Sequence, residues 1–287
     1  MPVDYKRVQG PESSSSYLLY VKKSKQSYTD LISKTVSGDR RKDGRKCNEP
    51  RRIYLKTGAV TQAKGSAYLE LNKTKVICSV FDPREIPRRS DYSINGELYC
   101  ELKFAPFSCE ARRGHQPDAE EKEFSLNLKR ALEPAVCRHE FPNFQVDVYA
   151  YVLENDGSAL AAAITCAGLA LADASVPMYD LVTASTVGIH GDLLLLDPTS
   201  EEEALCNTAP PPGAASQNHG LVTAAYSPVH HQVSEFVQRG AMDPDCVGAS
   251  IQTLTAACRA VYPLIQQCLV DNVTKAFSEK TGEPADT

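Results

Sequence analysis

Apolar and polar side chains alternate along several stretches of the chain, and a slower period replaces that alternation in others. Ser66–Leu71 and Lys75–Phe81 change character at nearly every step, with Val76, Cys78 and Val80 on one face. A period of two places successive side chains on opposite faces of a strand, and Asn72-Lys73 between the runs is a two-residue turn, so this segment predicts a β-hairpin. Pro83–Gly96 reads as a polar loop, and Leu98–Phe104 as a further strand. From Glu120 to His139 the apolar residues Phe124, Leu128, Leu132 and Val136 recur every fourth position. Acids open that segment (Glu120, Glu121, Glu123) and Arg138 and His139 close it, which suits a helix dipole. An amphipathic helix is expected there, kinked late by Pro134. Gln145–Leu153 alternates again; Asp156 then precedes an Ala-rich run to Ala172 that predicts a buried helix. Leu181–Ile189 and Leu193–Leu196 read as strands around His190-Gly191, and Leu221–Ser227 with Gln232–Val237 as a strand pair. Between them, Leu205–Gly220, which contains Ala209-Pro-Pro-Pro-Gly213, reads as a loop. Ile251, Leu254, Cys258, Val261, Ile265 and Leu269 mark a final helix, interrupted by Pro263.

Strands and helices interleave, so the expected class is α/β or α+β, mixed sheets packed with helices. One domain is expected over residues 40–277. Residues 1–39, with the run Ser13–Ser16, read as a flexible extension in which Tyr17–Val21 could form a short strand on a partner; 278–287 read as a polar tail. The apolar run Ala159–Ala172 is 14 residues long. A membrane span needs about 18, and the first residues lack the apolar core of a secretory signal.

Charge changes the picture once it is divided. The net charge of the 287 residues is −5, yet residues 1–46 carry eleven basic and five acidic side chains, and the remainder is net −11. His139–Gln238 contains no Lys or Arg in one hundred residues. Anionic oxygens need a guanidinium or ammonium to be held away from water, so that half is a poor place to bind phosphate. Basic side chains instead cluster early: Arg40 to Lys46, Arg51-Arg52, Arg84, Arg88-Arg89 and Arg112-Arg113. Such clusters are either a solvated face or a contact for a nucleic-acid backbone. The ten cysteines lie 9 to 40 residues apart with no CxxC and no His at ligand spacing, which favours reduced thiols over disulfides or zinc.

No single motif carries an enzyme. Glu201-Glu202-Glu203 has the chemistry of a Mg²⁺ site but reads better as a solvated helix start. His230-His231 reads as an edge-strand pair, and Asp156-Gly157-Ser158 as an N-cap turn, although such a turn could cradle an anion. No GxSxG elbow, phosphate-binding P-loop or dinucleotide GxGxxG occurs. No cofactor and no metal is expected.

Taken in order, however, the segments resemble the RNase PH family. The resemblance rests on Arg41-Lys-Asp-Gly-Arg45, Gln62-Ala-Lys-Gly-Ser-Ala67, Thr74-Lys-Val-Ile77 and Phe104-Ala-Pro-Phe-Ser108. It continues through Arg130-Ala-Leu-Glu-Pro-Ala-Val136, Val152-Leu-Glu-Asn-Asp-Gly-Ser158, Leu169-Ala-Leu-Ala-Asp-Ala174 and Leu196-Asp-Pro-Thr199. It covers roughly residues 40–275, and the variants are most similar to the RNase PH-like subunits of the eukaryotic RNA exosome ring.

The resemblance implies an RNase PH-like single domain. Active members remove nucleotides from the RNA 3′ end with inorganic phosphate as nucleophile. They hold the phosphate with an Arg at the start of the middle helix and a Thr-Arg pair in a DGGTR motif. Here those positions carry Glu120, Ala159 and Leu160. The first catalytic acid falls on Glu203, and the second near Ala209, in the Pro-rich loop where the alignment is loosest. The expectation is therefore a non-catalytic ring subunit with no catalytic residues, whose alternative is an active 3′-to-5′ exoribonuclease, phosphorolytic or metal-dependent. The same resemblance implies other RNase PH-like subunits as ring partners, RNA-binding cap subunits, an associated nuclease, single-stranded RNA in the channel, and a nuclear, nucleolar and cytoplasmic location. Arg112 and Arg113, then Arg88 and Arg89, are the expected RNA contacts, by phosphate neutralisation rather than base reading.

Overall fold

The computed structural model describes residues 36–37, 40–86, 92–110, 112–114, 116–209 and 217–281. Tyr17–Val21, Arg88 and Arg89 and the prolines of the Pro-rich loop lie outside them. A short ribbon, β1 (Val36–Ser37) with β2 (Arg40–Arg41), leads into β3 (Ile53–Thr57), β4 (Gly65–Leu71) and β5 (Thr74–Glu85). The expected hairpin is β4–β5, its turn made possible by Asn72 at φ 52°, a left-handed conformation that Asn tolerates. Then follow β6 (Glu97–Phe104), α1 (Ala119–Leu132), β7 (Phe144–Glu154) and α2 (Ala159–Asp173). The second half holds β8 (Thr183–His190), β9 (Leu193–Leu196), α3 (Ser200–Cys206), β10 (His219–Ser227), β11 (Gln232–Ala241) and α4 (Pro244–Thr281).

Two sheets result. One has five strands in the order β3-β4-β5-β7-β6, antiparallel except for the β6–β7 pair, whose parallel run is bridged by α1. The other has four antiparallel strands in the order β11-β10-β8-β9. Helix α2 lies between them, touching β4 and β5 on one side and β8 and β10 on the other. That position explains its composition, because a helix buried all round can have no polar stripe. Small side chains let the sheets close on it: a Cβ added at Gly168 would sit 2.8 Å from the Val182 carbonyl oxygen. Ile164, Leu169 and Leu171 of α2 are fully buried, as are Leu128 and Leu132 of α1. Each such side chain contributes about 1.5–3 kcal/mol on burial.

Four local expectations are corrected. Helix α1 stops at Leu132, because Pro134 begins a separate 3-10 turn (Glu133–Ala135) rather than kinking a longer helix. Strand β5 runs to Glu85 past a bulge after Phe81; its last residues are exposed, so alternation does not mark them, and Arg84 reaches Asp147 at 2.6 Å. Helix α4 passes through Pro263 unbroken and ends at Thr281. Proline costs one backbone bond there, and the buried Leu254, Cys258 and Ile265 on either side hold the helix against the sheet. His230-His231 sits in the turn joining β10 and β11, with His231 at φ 55° and His230 facing Asp180 at 3.7 Å. The ten thiols are free.

Candidate functional site

The chain turns from β7 into α2 through Asn155–Ser158, and from β9 into α3 through Asp197–Thr199. These two connections lie against each other. Gly157, at φ 87°, faces them so closely that a Cβ would stand 2.4 Å from the Pro198 carbonyl oxygen. The Ser200 N–H donates to the Asp156 carbonyl at 3.1 Å, and Ser158 Oγ to that of Pro198 at 3.2 Å.

Arg51 fastens the junction from below. Its Nε and Nη2 donate to the two carboxylate oxygens of Asp197 at 2.8 and 2.7 Å, and its backbone N–H adds a third bond at 3.0 Å. The remaining guanidinium hydrogens go to the Asp156 and Gly157 carbonyls at 2.8 and 3.1 Å and to Thr74 Oγ1 at 3.1 Å. Burial alone would raise the Asp197 pKa, but the Arg51 guanidinium holds it below the ordinary carboxylate value. The pair is buried on both sides, and no donor of Arg51 is left for a ligand.

Beside the junction is a cavity of about 100 Å³ whose lining includes Glu120, Phe124, Ser158, Ala159, Leu160, Glu203 and Arg239. The positions that resemblance assigns to phosphate binding and to the first acid therefore converge; Ala209 is not among the lining residues. Where the resemblance expects an Arg, a Thr and a second Arg to hold an anion, the lining presents one acid, Glu120, and two apolar side chains, Ala159 and Leu160. Glu120 carries its own counter-ion, Arg113, whose Nη2 donates to Oε2 at 2.7 Å while the guanidinium lies 4.1 Å from the Phe104 ring centre. Arg239 pairs with Glu123 at 2.9 Å and stacks 5.1 Å from the Phe124 ring centre. Burial would lower the Arg113 pKa, yet the Glu120 bond carries it above the usual value. Both guanidinium groups are thus spent on carboxylates.

Of the four expected RNA contacts, Arg112 is exposed, Arg113 is turned toward Glu120, and Arg88 and Arg89 lie outside the described residues. Arg239 went unnoticed, although it ends the cation-free stretch at the next residue after Gln238. Arg113 and Arg239 therefore bring positive charge to a region whose own sequence has none.

The solvated-helix expectation for Glu201–Glu203 holds only for the first. Helix α3 does start there, but its three carboxylates turn to different partners. Exposed Glu201 meets Lys42 at 2.8 Å. Buried Glu202 accepts from the Thr199 N–H at 2.9 Å and meets Arg41 at 3.4 Å. Glu203 accepts from the Ser158 N–H at 2.7 Å. Burial pushes the Glu203 pKa up to about 7; the Ser158 N–H and Arg51 oppose that rise, whereas Glu120 and Asp197 add to it. Nor does Asp156-Gly157-Ser158 behave as an ordinary N-cap. Ser158 occupies the cap position at φ 54° and makes no side-chain bond to the helix.

The model of the 3′ exoribonuclease family, RNase PH, matches residues 49–177 with its first domain and residues 180–209 with its second. Exosome complex component MTR3 of Mus musculus is 35% identical, over 94% of this chain and 96% of its own. Exosome complex component Rrp41 of Nitrosopumilus maritimus is also 35% identical, over 84% of this chain and 93% of its own. Among solved structures, the Archaeoglobus fulgidus exosome with RNA bound to the active site superposes with TM-score 0.69 at 21% identity, covering 82% of this chain and 95% of that one. That last likeness concerns the fold.

Proposed function

The chain belongs to the RNase PH family of 3′ exoribonucleases, and from that premise we propose that it is a non-catalytic subunit of an RNA exosome core ring. The observation that carries the reading is the cavity at the head of α2. Glu120, Ala159, Leu160 and Glu203 meet there, and the nearby guanidinium groups of Arg113 and Arg239 are already engaged. A phosphate dianion entering it would lose water without gaining a free cation. Two opposed unit charges 4 Å apart interact by about 4 kcal/mol at the effective dielectric of a protein surface. The Glu120 carboxylate turns that magnitude against the phosphate instead of supplying it.

The whole-length similarity to the MTR3 component supports assembly with other RNase PH-like subunits, covered by RNA-binding cap subunits and served by a separate nuclease. Single-stranded RNA is then a partner that passes through the channel. Arg112 is its leading contact on this chain, and Arg88 and Arg89 are the secondary ones. Arg113 contributes by fixing Glu120 and the loop rather than by meeting phosphate. A net charge of −11 over residues 47–287 leaves the isolated chain little affinity for RNA. The exosome reading implies a nuclear, nucleolar and cytoplasmic location.

The test is reconstitution with ring partners, followed by RNA binding at several salt concentrations. The chain should enter a stable hetero-oligomer, and Arg112→Ala should lower the salt slope of RNA binding by about 1 without changing assembly. An unaltered slope would remove Arg112 from the RNA path, and failure to assemble would remove the ring reading.

A further inference from the structure

We infer that Tyr17–Val21 of this same chain adds as a strand along the outer edge of β3 and fills the groove between β3 and α4. The inference begins with backbone bonds. The Gly58 N–H donates to the Ser66 carbonyl at 2.9 Å and the Asn72 N–H to the Arg52 carbonyl at 3.3 Å. Bonded pairs alternate between those two ends of the β3–β4 register. Tyr54 and Lys56 therefore bond β4, while the peptide groups of Ile53, Leu55 and Thr57 point away from it. The opposite edge of the same sheet is closed by α1: the Leu102 N–H donates to Ser125 Oγ at 2.8 Å and the Phe104 N–H to the Glu121 carboxylate at 2.9 Å. Among the described residues no such bond reaches the outward groups of Ile53 or Leu55.

Helix α4 stands off from this edge. Between them runs a groove of about 480 Å³ whose lining includes Ile53, Leu55, Leu264 and Cys268. Past Ile53 and Leu264 lies a second cavity of about 590 Å³, where Ala161 and Ala162 of α2 and Ala257 and Ala260 of α4 leave room for larger side chains. A strand edge on one wall and a helix on the other is the geometry that takes an extended peptide, with main-chain bonds along the edge and alternate side chains in the pocket. The chain supplies a segment that fits. Tyr-Leu-Leu-Tyr-Val has the five-residue length of β3 and is the one unbroken run of five apolar residues in positions 1–35. Residues 22–35 join it to β1, and these fourteen residues span up to about 46 Å at about 3.3 Å each. That reach suffices: β1 pairs with β2, and Arg41 of β2 donates to the carbonyl of Asp197, the residue that Arg51 clamps two positions before β3. An antiparallel addition sets Val21 beside Ile53, at the end of β3 nearest that junction, and Lys22-Lys23 then lead out of the groove.

The test is amide hydrogen exchange resolved by NMR on the full-length chain, the parent against Leu18→Pro and Leu19→Pro. Alternate residues of an added strand donate to the edge, so proline at one of two successive positions must remove a bonded N–H in either register. In the parent the Ile53 and Leu55 amides should be protected at every chain concentration. At least one proline variant should exchange them about tenfold faster or more, with Tyr54 and Lys56, which bond β4, unchanged. Unprotected Ile53 and Leu55 amides in the parent would overturn the inference, as would protection that neither proline alters. Equal acceleration of all four amides would overturn it too, because β3 itself would then have loosened. Protection that grows with chain concentration would assign the groove to a second copy. Protection that appears only after ring partners are added would assign it to a neighbouring subunit. Either result removes Tyr17–Val21 from the edge. The outcome does not depend on ring assembly, so failure of the exosome reading leaves this inference standing.

Discussion

Replacing Arg51 with Met should be the most damaging single change to the site, and its cost can be worked out from the contacts. The substitution keeps an unbranched apolar stem and the backbone N–H bond to Asp197. It removes two charge-assisted bonds to that carboxylate and three more to Thr74, Asp156 and Gly157. Such bonds are not additive. The relevant magnitude is that of a buried ion pair losing one partner, about 3–5 kcal/mol, which for a chain of this size lowers the melting temperature by about 6–20 °C. The pH dependence is more diagnostic than the total. In the parent, Asp197 has a depressed pKa, so its contribution is present above the unfolded value of about 3.9 and is lost as pH falls through the folded one. Without Arg51, burial governs and the pKa rises. The deficit of Arg51→Met should therefore be greatest above pH 7 and shrink toward pH 4 as Asp197 takes up a proton. Urea unfolding at four pH values measures both. A deficit under about 1 kcal/mol at pH 8, or one unchanged from pH 5 to pH 8, would refute the clamp.

Three further outcomes are expected. Glu203 has a folded pKa of about 7 against an ordinary value of 4.5, so its stability contribution is present below pH 4.5 and is lost as pH rises through 7. Glu203→Gln should accordingly gain on the parent between pH 5 and pH 8, by up to about 3 kcal/mol, in denaturant midpoints. Gly157→Ala combines a left-handed φ of 87° with a Cβ 2.4 Å from the Pro198 oxygen. It should cost at least about 1–3 kcal/mol in thermal unfolding, whereas an exposed Gly44→Ala, with nothing within 4 Å, should cost less despite its φ of 81°. Leu169→Ala, at the centre of the helix between the sheets, should lose about 2–5 kcal/mol in the same assay.

How far the sequence reveals this depends on the range of the interaction. The β4–β5 hairpin is visible because its two strands and its Asn72 turn are neighbours in the chain. Helix α2 is visible because burial on all sides removes every charged residue from its first fourteen positions. Proline misled in both directions: Pro134 ended a helix expected to bend, and Pro263 was absorbed by one expected to break. Its effect depends on whether flanking side chains are held by tertiary packing, which the local pattern does not contain. The site is the least local of all. Arg51 and Asp197 are 146 residues apart, and Ser158 and Glu203 are 45 apart. Glu201–Glu203 looks like a solvated acidic helix start until α2 is laid against it. Family resemblance placed Glu120, Ala159, Leu160 and Glu203 in one site. It gave no sign that Arg113 would cross to Glu120, or that Glu203 would turn inward to Ser158.

We propose that this RNase PH fold is non-catalytic. The direct measurement is nucleoside diphosphate release from single-stranded RNA with orthophosphate, made on the purified chain and again after reconstitution with its ring partners. A parallel assay without phosphate and with Mg²⁺ follows nucleoside monophosphates. No release attributable to this chain in either state, from a ring that assembles and protects RNA, is the predicted result. Phosphate-dependent release from the purified chain would contradict it, because a dianion would then be bound where Glu120, Leu160 and the Glu203 carboxylate stand.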